Sequence, residues 1–107
     1  MKQFRQGDVF LIQRIGVGGL REKANDEKNR VVLAYGEVTG HAHAIYDVDS
    51  VDLLDSEGRT FIKINKPTQL KHEEHDLVPL DIPGELFEVI IQREYDYWSS
   101  EERKVLD

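Results

Sequence analysis

Apolar residues in this chain come in short β-branched and aromatic runs cut by Gly, Pro, Asn or Asp, without the 3.6-residue recurrence of an amphipathic helix. That punctuation predicts strands over 8–15, 30–35, 41–48, 51–54, 60–65, 68–71, 76–80 and 86–97. Asp55-Ser56-Glu57-Gly58, set between Leu53-Leu54 and Thr60-Phe61-Ile62, reads as a hairpin turn in which Gly58 is free to take a positive φ. Pro79 and Pro83 lack an amide donor, so the segment between them suits an edge strand or a turn, and Pro83-Gly84 leads into the last strand. The glycine-bearing, highly charged stretch from Gly16 to Asn29 reads as a surface loop. Ser99-Ser100-Glu101-Glu102 matches a capping box, which predicts a short helix through about Leu106. The expectation is a mainly β fold, a small single-domain barrel or sandwich over residues 1–107 with a short C-terminal helix.

Composition then removes several functions. The 107 residues carry 14 Lys plus Arg against 21 Asp plus Glu, a formal charge of −7, which disfavours nucleic acid and anionic membranes as partners. No cysteine is present, so disulfides, zinc ribbons, iron–sulfur clusters and thiol nucleophiles are excluded. No run of roughly 20 apolar residues occurs, and the N-terminus has no apolar signal core, so a cytoplasmic location is expected. Gly16-Val17-Gly18-Gly19 lacks the GxxxxGK[ST] pattern of a phosphate loop, and the serines lie outside any GxSxG elbow.

What remains is histidine. All four lie in two tight strings, His41-Ala42-His43 and His72-Glu73-Glu74-His75. On a strand His41 and His43 point to one side about 7 Å apart, within reach of one cation. In the second string an extended chain puts His72 and Glu74 on one face, whereas a single helical turn aligns His72 with His75. Either way the strings offer three or four imidazole ligands, suited to Zn, Fe, Mn, Ni or Cu, with Glu37, Glu74 or Asp47 assisting. Glu73 and Glu74 are the candidate general bases for a metal-bound water. The spacing is shorter than the HExxH of zincins.

The HxH string, with acidic Asp47 four residues on and Pro83-Gly84 later, resembles the first metal motif of cupins, small jelly-roll proteins. That resemblance implies a divalent metal held inside a barrel by His41, His43, Asp47 and a later histidine, with Asp where the family carries Glu. Separately, GEVTGHAHAI, HEEH and QREY resemble strings of small bacterial proteins of no assigned activity, across most of the chain.

Three functions are therefore in view. The first is a metal-binding β domain, a metal-dependent hydrolase or cupin-like enzyme acting on a small-molecule substrate. The second is a non-catalytic homo-oligomeric assembly module, since a small strand-rich domain exposes sheet edges. The third is a metal-free phosphodiesterase using two histidines as acid and base, with Lys71 or Arg93 on the oxyanion.

Overall fold

A computed structural model describes residues 2–36 and 38–92. Within them the short runs become strands β1 (Gln3–Gln6), β2 (Val9–Arg14), β3 (Arg21–Glu22), β4 (Val31–Tyr35) and β5 (Ala42–Ile45). A single 3₁₀ turn, Val48–Ser50, leads into β6 (Val51–Ser56), followed by β7 (Arg59–Ile64), β8 (Thr68–His72), β9 (His75–Leu80) and β10 (Leu86–Ile91). Pairing is antiparallel throughout, in a six-stranded sheet ordered β1-β2-β10-β7-β6-β3 and a four-stranded sheet ordered β4-β5-β8-β9. The arrangement is a sandwich. No closed barrel forms among the described residues, because both sheets keep free edges. The expected C-terminal helix lies outside the described residues, as does the end of the strand expected to reach residue 97.

Alternation decides what each face buries. Val9 and Leu11 of β2, Ile62 and Ile64 of β7, and Phe87 and Val89 of β10 meet Val31, Leu33, Ile45, Leu70 and Leu80 of the other sheet in one apolar core. On β1, Phe4 packs against that core, and Gln6, two residues on, shares its inward face. On β5, Ile45 is inward and so is His43, only 3% exposed.

Turn chemistry sets the register. Ser56 pairs with Arg59 across Glu57-Gly58, whose φ values of 52° and 78° give the doubly positive geometry that matches strand twist. Gln6 pairs with Val9 across Gly7-Asp8, and there only Gly7 has positive φ. On the outer face of the six-stranded sheet, Glu88 receives Arg14 Nε at 2.9 Å, Arg59 Nη2 at 2.7 Å and Arg59 Nε at 3.1 Å. These guanidinium hydrogen bonds, Arg59 foremost, hold its carboxyl down at about 2.

Candidate metal centre

The site begins where the inward faces of the two sheets meet at the end of the core. Gln6 reaches from β1 to the opposite sheet, and its Nε2 donates to the carbonyls of Leu70 and Asp76, each at 3.0 Å. With both amide hydrogens used, Gln6 Oε1 is left as an acceptor, 2.9 Å from His43 Nδ1. His43 Nδ1 is therefore the donor, and the lone pair of the neutral ring sits on Nε2. Burial, reinforced by nearby His72 and His75 and opposed by Asp8, brings the His43 pKa down to about 4, so the ring is neutral at pH 7.

His72 and His75 arrive together. They pair across a two-residue turn, Glu73-Glu74, in which neither residue has positive φ. Such turns splay a hairpin, and the ladder answers with a bulge: one residue of β8 separates Leu70 from His72, while two of β9 separate Val78 from His75. The additional residue on β9 rotates His75 to the side of Val78, toward His43. Ring centroids are 4.3 Å apart for His43 and His72, 4.6 Å for His72 and His75, and 5.6 Å for His43 and His75. One donor atom from each of these three imidazoles lies within 4.8 Å of the others. His72 Nδ1 accepts the Glu74 amide at 3.0 Å, so ligation by His72 displaces either that amide or the proton on Nε2.

His41 stands slightly apart. It precedes β5 rather than sharing the strand with His43, and its ring centroid is 5.9 Å from that of His72. Its donor atom groups with His72 and Glu73, a second cluster that has His72 in common with the first. Its Nδ1 is buried without a hydrogen bond, Glu74 Oε2 being 3.4 Å away. Glu73 Oε1 accepts the Ala42 amide at 2.9 Å, which pins the turn to β5 and holds this carboxyl below its usual range. Glu73 is accordingly a weak base. Glu74 is exposed and borders a cavity of about 340 Å³ together with Asp8, His41, His43, His72 and His75.

Two glycines make room for the imidazoles. A Cβ on Gly7 would lie 2.7 Å from His75 Nε2, and one on Gly36 would lie 3.2 Å from His41 Cβ and 3.3 Å from His72 Nε2. Neither glycine, nor Gln6, nor Asp8 was among the residues the sequence singled out. The available signal was Gly7-Asp8, a turn-type dipeptide just before the run Val9-Phe10-Leu11-Ile12. Asp47 goes elsewhere: its carboxylate is 3.4 Å from Lys66 Nζ, and with Lys71 and Tyr46 it lines a separate cavity of about 490 Å³. Glu37 and Arg93 lie outside the described residues.

The fold and cavity define a small β-sandwich domain in which a few His and Glu groups lie close enough together that they could hold a metal ion. Residues 5–92 match the family described as a domain of unknown function, DUF8820, and the chain belongs to it. No curated protein and no solved structure matches significantly. Among the described residues no helix is long and apolar enough to cross a membrane.

Proposed function

We propose that this domain binds one divalent transition-metal ion through His43, His72 and His75, and that the ion serves hydrolysis of a small molecule entering the adjoining cavity. The observation that carries this reading is convergence: three imidazoles from β5, β8 and β9 bring donor atoms within 4.8 Å, one of them held in the ligating tautomer by Gln6. Three nitrogen donors leave coordination positions for water or a substrate oxygen, and Zn, Fe, Mn, Ni and Cu all accept such a set. Glu74, at the cavity wall, is the better placed of the two candidate bases, because Glu73 is committed to the Ala42 amide. Elemental analysis of untagged protein is the test: about one ion per chain is expected, lost in His72→Ala. Wild-type protein that stays folded and takes up none of the five metals refutes the reading. Given metal uptake, a panel of activated esters and phosphoesters separates a hydrolase from a metal-stabilised module, with Glu74→Gln expected to lower turnover about 10²-fold or more without loss of metal.

A further inference from the structure

We propose, building on the three-histidine reading, that Asp8 is a fourth protein ligand of the same ion and that Gln6 is the residue that positions His43 for it. The starting point is hydrogen-bond accounting. Both Gln6 amide hydrogens go to main-chain carbonyls, so His43 donates from Nδ1 and presents a lone pair from Nε2. That lone pair faces Asp8 Oδ1 at 3.4 Å. Two acceptors face each other beside a ring that is only 3% exposed, an arrangement that repels unless something positive lies between them.

The separation itself has a meaning. Two donors each about 2.1 Å from a tetrahedral ion, and about 109° apart around it, are about 3.4 Å from one another. His43 Nε2 and Asp8 Oδ1 stand at that distance. Backbone geometry brings the carboxylate there: Gly7 lies so close to His75 that a Cβ would fall 2.7 Å from Nε2, so the Gly7-Asp8 turn leans on the histidine cluster and places Asp8 beside it. Charge agrees with geometry. Three neutral imidazoles leave both charges of a divalent ion uncompensated next to the core, and one carboxylate halves that excess. The proposed set adds one carboxylate oxygen from the β1–β2 turn to three nitrogens from the four-stranded sheet. Asp8 touches His43 and lines the same cavity as His72 and His75 but belongs to neither group of donor atoms within 4.8 Å of one another, so a turn of its half-exposed side chain completes the set.

The test is Co²⁺ titration of wild type, Asp8→Asn and Asp8→Ser, read by visible absorption and by a competing chelator. Asp8 is half-exposed in a turn, and Asn suits such a turn, so a folded variant is expected and is verified by circular dichroism. Loss of at least about tenfold in Co²⁺ affinity, with an altered absorption envelope, supports ligation. Wild-type affinity and an unchanged envelope in both variants overturn the assignment while leaving the three-histidine site standing. Asp8 is equally ruled out as a ligand if Asp8→Asn shifts only the His43 imidazole resonances, for then a shared proton occupies the gap. Wild type that binds no Co²⁺ overturns both readings together.

Discussion

Replacing Gln6 with Leu removes one amide from the inner edge of the sandwich and keeps most of its volume. The amide makes three hydrogen bonds, to Leu70 O, Asp76 O and His43 Nδ1, and the residue is 3% exposed, so water does not replace them in the folded state. At about 1 kcal/mol per bond the loss is about 3 kcal/mol, and the apolar side chain returns about 1 kcal/mol, leaving a net cost of about 2 kcal/mol. Urea unfolding of metal-free protein reads this as a midpoint lowered by about 1–2 M at an m-value of 1–2 kcal/mol/M. A second readout separates positioning from bulk stability. Imidazole ¹⁵N shifts of His43 report which nitrogen carries the proton: Nδ1 in wild type, a mixture in the variant once Gln6 Oε1 no longer accepts. A midpoint within about 0.3 M of wild type, or a His43 ring still protonated on Nδ1 alone, would refute the hydrogen-bond accounting.

Three further substitutions probe the outer sheet face, the site and a distant turn. Glu88 has its carboxyl depressed from 4.5 to about 2, so its stabilising charge is fully present above pH 4.5 and fades as pH falls toward 2. After discounting for the half-exposed Arg59, Glu88→Gln is expected to cost about 2 kcal/mol at pH 7 and to flatten the acid limb of a stability-versus-pH curve; an unchanged acid limb would count against the ion triad. Gly7→Ala puts a Cβ 2.7 Å from His75 Nε2 at a φ of +59°, so both a thermal shift of several degrees and weaker Co²⁺ binding are expected. Gly58→Ala, at +78° with nothing within 4 Å, supplies the contrast: strain alone, and metal binding equal to wild type.

The strand pattern was legible where β-branched residues alternate. Val9–Arg14, Val51–Ser56, Arg59–Ile64 and Leu86–Ile91 fall inside or beside the runs expected, and the Glu57-Gly58 hairpin forms as its glycine implied. β1 and β3 escaped, since Gln3–Gln6 contains a single apolar residue and Arg21–Glu22 none, and such strands exist by pairing with β2 and β6 rather than by their own propensity. The His72–His75 string left two geometries open, extended or a helical turn, and the structure instead makes it the tip of a hairpin. A period-2 reading sets His75 opposite Val78 and Leu80, and only the bulge on β9 reverses it. His41 and His43 were expected side by side on one strand, yet β5 starts at Ala42, and the two rings fall into different donor groups. Gly7-Asp8 signals a turn but nothing in the sequence gives Gln6 or Asp8 a place in the site; that comes from the closure of one sheet on the other.

One side chain joins β1 to β5, β8 and β9, because Gln6 bonds His43, Leu70 and Asp76 at once. Strands so joined open together or not at all, so β1 and the tip of the β8–β9 hairpin should show a single free energy of amide exchange, separate from that of β3 at the far edge. A ligand gripping the histidines would then slow exchange at Phe4 and Arg5, residues it never touches, and the protection pattern would trace the boundary of the unit that must unfold before the site lets go.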